Sequence, residues 1–154
     1  MIDHLVKLAR KLCTGGPKEK AVLDLALVAF WGLARLGEIT YLSRSGVPNP
    51  RREVHAADVA FKETLDGKIK GTITLRNAKT AKPGKPQKLL LQQVDNLLCP
   101  VGALRRRQEE ARGPADSLFG YYETDGTRTN LTKSEQQCNS YAAHSGSVAK
   151  AQRI

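Results

Sequence analysis

An arginine and a glutamate stand three positions apart near the end of a long apolar run. The run is AVLDLALVAFWGLARLGEITYL, residues 21–42, and the two charged residues are Arg35 and Glu38. An i,i+3 pair is typical of the wet side of a helix, where it contributes about 0.2–0.5 kcal/mol. The residues that flank the pair are apolar and leave little room for a solvent-exposed helix face. An arginine in apolar surroundings needs an anion, because burying an unpaired charge is costly. Since a guanidinium suits phosphate, a second interpretation makes Arg35 a phosphate ligand that Glu38 orients.

The second candidate site is the strongly basic region from Lys62 to Lys88. It contains eight basic and two acidic residues, a local charge of +6 against +10 for the whole chain. Such a region is either a solvated surface or a ridge that follows a phosphate backbone, with an affinity that falls steeply as salt rises. On the second interpretation, the DNA-binding side chains are those of Arg76, Lys82, Lys85 and Lys88. Lys79 stands at a predicted strand end, entering a turn that could bring it toward a substrate.

Other residues with reactive side chains give weaker signals. The adjacent arginines 105–107 cannot share one helix face, and Glu109 and Glu110 offset them, so a solvated helix is expected. The three histidines are expected to be structural, and Tyr121 and Tyr122 to pack rather than to stack on bases. The three cysteines lie far apart and lack the spacing of metal ligands. The sequence therefore predicts no metal site and no cofactor.

Charge and hydropathy restrict the partners and the compartment. The isoelectric point of about 9.8 favours an anionic macromolecule, and nucleic acid is the commonest such partner. Widely spaced cysteines fit a reducing compartment, so a nuclear or cytoplasmic location without a secretion signal is expected. The longest charge-free apolar run, residues 25–34, is about half of the roughly 20 residues that cross a bilayer. No membrane contact is expected.

Periodicity and turn residues predict the elements that position these side chains. Helices are expected over 3–12, from Pro17 through the apolar run with a second piece to about Leu42, from Pro100 to a stop at Gly113, and over 132–143. An Asp66–Gly67 turn separates extended runs at 54–64 and 68–77, and a third follows at 89–91. This order predicts an α+β fold, mainly helical with a small three-stranded antiparallel sheet, and the length of 154 residues predicts one domain.

The order of these segments resembles the catalytic domain of the tyrosine recombinase (phage integrase) family. GLARLGEITYL is similar to the first conserved box, in which an apolar helix runs into an arginine followed three residues later by glutamate. KTAKPGKPQKLLL resembles the β-hairpin that carries the family's lysine. LCPVGALRRR followed by LFGYYETDGTRTNLTKS looks like the downstream portion as it occurs in recombinase-like sequences of fungal mobile elements. The resemblance covers nearly the whole chain.

The resemblance implies a metal-free reaction on double-stranded DNA. A tyrosine attacks a DNA phosphate and gives a 3′-phosphotyrosine and a free 5′-hydroxyl. Carried over by position, Arg35 would clamp an oxygen of the scissile phosphate, Glu38 would support it, and Lys79 would donate a proton to the departing 5′-oxygen. Self-association on the DNA is a further expectation.

The sequence departs from the family's pattern toward its C-terminal end. The family has an H-x-x-R box and a tyrosine nucleophile, but the residue three positions after His144 is Ser147. The segment 150–154 resembles a degenerate box in which lysine replaces the histidine and Arg153 supplies the arginine. No residue matches the nucleophile, since Tyr141 precedes this region. We therefore expect the N-terminal part of a recombinase catalytic domain, truncated before the H-x-x-R box and the tyrosine, that binds DNA and is inactive alone.

Two other classes of function stay open. In the first, the chain is a non-enzymatic basic nucleic-acid-binding module whose arginine and lysines only touch backbone phosphate. In the second, it is a small basic RNA-associated protein with no recombinase history.

Overall fold

The computed structural model describes residues 2–75 and 87–134. Its helices are α1 (Ile2–Leu12), α2 (Pro17–Gly32), α3 (Leu36–Ile39) and α4 (Pro100–Glu110). Its strands are β1 (Val59–Glu63), β2 (Ile69–Leu75), β3 (Gln87–Gln92), β4 (Gly120–Tyr122) and β5 (Arg128–Asn130). The helices and the two antiparallel sheets confirm the α+β fold class. Within these two ranges, no helix is long and apolar enough to cross a membrane.

Helix α2 lies at the centre of the hydrophobic core. Pro17 occupies its first turn, where the missing N–H costs nothing. Its buried residues are Ala21, Val22, Leu23, Asp24, Leu25, Leu27 and Val28. The helix contacts α1, α4, β3 and β4, so it has neighbours on several sides along this stretch. The prediction of a central helix from the continuous apolar run is confirmed.

The helix that contains the apolar run ends before it reaches Arg35 and Glu38. Helix α2 ends at Gly32, and Leu33 follows in the left-handed conformation with φ 53°. Helix α3 then spans only Leu36–Ile39 and ends earlier than predicted. The reason is a tertiary contact: the backbone N–H of Tyr41 donates to the carbonyl oxygen of Leu131 at 3.0 Å, so the chain leaves the helix to pair with a distant segment.

Strands β1, β2 and β3 form the antiparallel sheet in that order. Ile73 pairs with Val59 on one side and Leu89 on the other, and all three side chains are buried. The predicted turn is confirmed, with Gly67 at φ 81°, a conformation that residues with a Cβ rarely adopt. Strand β1 begins at Val59 rather than near residue 54, because Ala56–Asp58 form a 3-10 turn.

Helix α4 and a small hairpin pack on the same core. Pro100 begins α4 as predicted, and the Cys99 sulfur accepts a hydrogen bond from the backbone N–H of Gly102 at 3.5 Å. The helix ends at Glu110, before the predicted stop. Strands β4 and β5 form a hairpin whose turn contains Gly126 at φ 87°, as the Asp–Gly dipeptide predicts. The helix predicted over 132–143 lies largely outside the described residues.

The hydroxyl of Tyr41 joins three segments at the centre of the fold. It donates to the carbonyl oxygen of Val54 at 2.6 Å and accepts from the backbone N–H groups of Leu118 at 2.9 Å and Phe119 at 3.3 Å. Tyr41 is 3% exposed. Burial raises the pKa of its phenol well above the ordinary value of 10.0, because a charged phenolate is disfavoured away from water.

Candidate nucleic-acid interface

The face of the three-stranded sheet that points away from the core is basic. Successive side chains of a strand point to opposite faces, so the residues that alternate with the buried ones lie on this outer sheet face. Its members in β1, β2 and β3 are Ala60, Lys62, Lys70, Thr72, Thr74, Lys88, Leu90 and Gln92. The outer sheet face thus carries three exposed lysines, one from each strand, and no acidic residue of the described strands.

Two of these lysines face each other across the sheet. Lys62 of β1 and Lys70 of β2 are directly opposite in the register, a placement of like charges that destabilises a sheet. Neither lysine has an ion-pair partner among the described residues. Both line a groove of about 740 Å³ together with Lys68 and Gln92, and the acidic residues Glu63 and Asp66 line it as well. An anion bound in this groove would offset the repulsion between the two ammonium groups.

One of the predicted DNA-binding residues, Lys88, falls within the described residues. It is exposed on β3, opposite Thr74 of β2. The other predicted site residues that the sequence assigns to the β2–β3 connection or to the C-terminal end lie outside the described residues: Arg76, Lys79, Lys82, Lys85 and Arg153. Lys88 is the second residue after that connection, so it continues the basic sequence onto the outer sheet face.

Arg35 occupies the N-cap position of α3. Its backbone is extended, with φ −77° and ψ 137°. Its side chain is exposed rather than enclosed by apolar neighbours, because the break after Gly32 brings the following residues to the surface. Within residues 2–75 and 87–134 the guanidinium has no hydrogen-bond or ion-pair partner, so its donors are open to an anion.

Glu38 acts on the backbone of Arg35 and not on its guanidinium. The Glu38 Oε2 atom accepts a hydrogen bond from the Arg35 backbone N–H at 3.4 Å. The reciprocal bond of a full capping box cannot form, since an arginine side chain has no acceptor. The carboxylate therefore supports the backbone at the start of α3, a different contact from the side-chain pairing that the sequence suggested.

The end of α2 packs against β3, the strand that bears Lys88. A Cβ atom at Gly32 would lie 3.0 Å from three side-chain carbons of Leu89, so the helix backbone packs tightly against β3 there. Arg35 follows Gly32 by three residues, and Lys88 precedes Leu89 by one. Because Leu89 faces the core, this contact places the end of α2 on the core side of β3, whereas Lys88 lies on the outer sheet face.

Among the residues that the structure describes, the buried arginine is Arg107, on α4. Its side chain is 5% exposed, and its Nε donates to Oδ2 of Asp24 at 2.8 Å while its Nη1 donates to the carbonyl oxygen of Gly120 at 3.1 Å. The neighbouring Arg106 also donates to Asp24, at 2.6 Å. The expectation of a solvated helix is wrong for Arg107, because its counter-charge comes from α2, whereas Arg106 is exposed, as a solvated helix predicts. The available signal was Asp24 itself, a carboxylate inside an apolar run.

The tyrosines of β4 are not arranged as nucleophiles or as stacking surfaces. Tyr121 is 4% exposed. The guanidinium carbons of Arg112 and Arg128 lie 4.0 and 4.7 Å from the ring centre of Tyr122, and its hydroxyl donates to Asp116. Burial and this hydrogen bond raise the pKa of Tyr122, the opposite of what activates a phenol as a nucleophile. The prediction that these tyrosines pack is confirmed.

No protein-family model matches this chain, and no curated protein matches it significantly. The likeness to tyrosine recombinases therefore rests on the segments of the sequence and on their order. Within the described residues, no three His, Cys, Asp or Glu side chains are grouped as metal ligands. The chemistry that these residues offer is the binding of anions by exposed lysine and arginine side chains.

Proposed function

We propose that this chain is a double-stranded-DNA-binding domain of the tyrosine recombinase type, derived from a mobile-element integrase, that grips the phosphate backbone but does not cleave DNA by itself. The observation that carries the proposal is the outer sheet face, where each of three strands contributes an exposed lysine and no described strand residue contributes an acid. Lysines placed in this way neutralise phosphates without reading sequence.

The facing pair of Lys62 and Lys70 is an argument for an anionic ligand. Two facing ammonium groups have no folding advantage, since an opposite-charge pair at the same positions would stabilise the sheet. A phosphate between them gains from both charges and removes their repulsion. Duplex DNA supplies phosphates at regular spacing, so it can satisfy this pair and Lys88 together.

Arg35 is the candidate ligand for one particular phosphate. Its backbone is supported by Glu38 and its donors are open. The fixed fork of a guanidinium matches two phosphate oxygens, which a lysine cannot do. In the proposed role Arg35 holds the phosphate at which the recombinase family acts, and Lys79 is the proton donor to the leaving 5′-oxygen by resemblance alone.

The alternative is a nucleic-acid-binding module that never took part in strand exchange. One observation favours it: Arg35 is exposed, and no carboxylate of the described residues orients its side chain. Such an arginine suits a simple backbone contact as well as an active-site clamp. The widely spaced cysteines, of which Cys13 and Cys99 are free thiols, fit a nuclear or cytoplasmic location under either proposal.

Incubation with a nicked suicide DNA duplex tests whether the chain only binds DNA, as both proposals state, or also cleaves it as an active recombinase does. We expect retarded duplex at low salt and no covalent protein–DNA band on a denaturing gel, since the 154 residues contain no H-x-x-R sequence. A covalent band would contradict the proposal that the chain does not cleave DNA. A lack of duplex binding at low salt would contradict DNA binding altogether.

The role of Arg35 is tested with Arg35→Ala against Arg10→Ala, which removes the same charge from the exposed side of α1. If Arg35 holds a specific phosphate, its variant loses more affinity than the control at equal salt. Equal losses would favour the simple binding module. Matching thermal unfolding midpoints of the two variants show that the comparison concerns binding and not the fold.

A further inference from the structure

Residues 42–53 form a compact loop without helix or strand, here called the 42–53 loop. Its two ends meet, because the backbone N–H of Leu42 donates to Oε2 of Glu53 at 2.9 Å. Compact surface loops with adjoining ends are frequently functional, and long loops of this kind inside a domain are otherwise disordered or act as linkers. The 42–53 loop is neither disordered nor a linker, because specific contacts hold it along its length.

Glu53 fixes the loop from its C-terminal end. While Oε2 accepts from Leu42, Oε1 accepts from the backbone N–H of Asn49 at 2.8 Å. Asn49 in turn holds the next turn of the chain: its Oδ1 accepts from the backbone N–H of Arg51 at 2.9 Å and its carbonyl oxygen from that of Arg52 at 3.2 Å. The backbone of both arginines is therefore held in place.

Asn130, at the end of β5, fixes the loop from outside. Its side-chain Nδ2 donates to the carbonyl oxygens of Ser43 at 3.1 Å and Gly46 at 3.0 Å, and its backbone N–H donates to that of Arg44 at 2.7 Å. Asn130 is 2% exposed, and Nδ2 must be the atom that faces the two carbonyls because only it can donate. The first half of the loop is thus tied to the small hairpin.

A buried proline completes the attachment. Pro48 is buried although its neighbours in the loop are exposed. Its carbonyl oxygen lies 3.1 Å from Nε2 of His55, a buried residue whose Nδ1 lies 2.8 Å from the carbonyl oxygen of Glu53. The histidine thus contacts both the middle and the end of the loop. The 42–53 loop is therefore ordered by specific contacts along its length.

This ordered loop presents positive charge. Arg51 and Arg52 are exposed, and neither guanidinium has a partner among the described residues. The acidic residue of the loop, Glu53, uses both carboxylate oxygens for backbone N–H groups. A loop that is already ordered loses little conformational entropy on binding, so each arginine contact contributes more to affinity than it would from a mobile segment.

We propose that the 42–53 loop is a second phosphate-binding element for duplex DNA, with Arg51 and Arg52 as its ligands. The inference rests on the proposed function, because it takes duplex DNA as the partner. It adds a site on a segment to which the recombinase resemblance assigns no role, and it gives Asn130 and His55 the role of positioning residues.

The first test is the double variant Arg51→Gln/Arg52→Gln, compared with Lys7→Gln/Arg10→Gln, which removes equal charge from exposed positions of α1. Duplex binding is measured across a salt series. Loss of two phosphate contacts lowers the slope of log K against log salt by about 1.8, since each contact contributes about 0.9. The control is expected to leave the slope close to that of the unchanged protein.

The second test separates the effect of the order of the 42–53 loop from the effect of its positive charge. Asn130→Leu keeps both arginines and removes two donors to the loop. We expect faster trypsin cleavage after Arg51 or Arg52, and weaker duplex binding with an unchanged salt slope. Because the double arginine variant changes only exposed side chains, it keeps the proposal testable even if Asn130→Leu does not fold.

The outcomes distinguish a failure of the loop proposal from a failure of the proposed function. If the unchanged protein does not bind duplex at low salt, both proposals are overturned. If it binds but the double arginine variant matches the α1 control, the loop proposal alone is overturned. A loss confined to an RNA hairpin, with duplex binding intact, would also overturn the assignment to DNA. Unchanged trypsin cleavage and binding in folded Asn130→Leu would contradict the positioning role of Asn130.

Discussion

Two groups of charged side chains among the described residues differ by burial. Asp24 and Arg107 are buried and satisfy each other inside the fold, whereas Arg35, Lys62 and Lys70 are exposed and have no ion-pair partner among the described residues. The first group bears on stability, and the second carries the proposed binding of DNA. Substitutions should therefore separate the two properties.

Asp24→Asn tests the buried group. The change removes the charge that balances Arg107, whose side chain is 5% exposed, and leaves Glu110 at 3.8 Å as the nearest remaining carboxylate. We expect the free energy of unfolding to fall by about 3 kcal/mol, the lower end of the range for a broken buried ion pair, since asparagine still accepts one hydrogen bond. Urea denaturation measures the change. Asp95→Asn, at an exposed position, is the matched control and should alter stability by less than about 0.5 kcal/mol; equal effects would contradict the structural role of Asp24.

Tyr41→Phe tests the buried phenol at neutral and alkaline pH. At pH 7 the loss of the hydroxyl leaves the N–H of Leu118 and the carbonyl of Val54 without this partner, at a cost of about 1–3 kcal/mol. Because the pKa of Tyr41 is raised on folding, the unfolded chain ionises first as pH rises above 10.0. Its contribution to stability is therefore complete below that value and is lost above it, by about 1.4 kcal/mol per pH unit.

The difference between the unchanged protein and Tyr41→Phe isolates this effect from the titration of lysines. We expect the two proteins to converge in stability as pH rises above 10, measured by urea denaturation at a series of pH values. A constant difference across the alkaline range would show that the phenol of Tyr41 ionises as easily in the folded state as in the unfolded one.

At the scale of elements, the facing lysines of the outer sheet face concentrate positive charge and lower the stability of the sheet. Lys70→Glu converts a facing pair of like charges into an ion pair with Lys62. We expect the free energy of unfolding to rise by about 0.2–1 kcal/mol. Duplex binding should weaken at the same time, with a salt slope reduced by at least about 0.9. Urea denaturation and a salt series of binding measure the two effects on one variant.

Lys7→Glu on α1 is the control for this charge reversal, because its side chain is exposed on a helix rather than on the sheet. The control should not share the gain in stability, and its salt slope should stay near that of the unchanged protein. If Lys70→Glu lost stability and kept its affinity, the outer sheet face would be a solvated surface and not a binding face.

Local sequence patterns predicted the elements whose boundaries are set by neighbouring residues. Pro17 and Pro100 begin helices as expected, and the Asp66–Gly67 dipeptide forms the turn of a hairpin. Buried and less buried residues alternate along β2, so the outer face of the sheet follows from the sequence once the register is known. The lysines of that face could therefore be found from periodicity.

Features that depend on distant partners could not be predicted in this way. Arg107 is buried because Asp24 approaches it from α2, and α3 ends early because Tyr41 pairs with Leu131. The contact of Glu38 with the backbone follows from a helix break at Gly32 that spacing alone does not reveal. In each case a contact across many positions of the chain overrode the local signal.

At the scale of the whole molecule, the net charge of +10 becomes informative through its placement. In two described segments, exposed basic residues have no acidic side chain paired with them: Lys62, Lys70 and Lys88 on the outer sheet face, and Arg51 and Arg52 in the 42–53 loop. Elsewhere, Arg107 of α4 is buried against Asp24, and the exposed Arg106 pairs with the same carboxylate. A charge excess that is segregated in this way predicts binding to a polyanion that is strong at low salt and falls steeply as salt rises.

The most direct test of the proposed function is duplex binding by the triple variant Lys62→Gln/Lys70→Gln/Lys88→Gln across a salt series. The account predicts that the slope of log K against log salt falls by about 2.7, because three phosphate contacts are lost. The control is Lys7→Gln/Arg10→Gln/Lys20→Gln, which removes the same charge from exposed positions of α1 and α2 and should change the slope little. Equal slopes for the two triple variants would contradict the claim that the outer sheet face binds DNA.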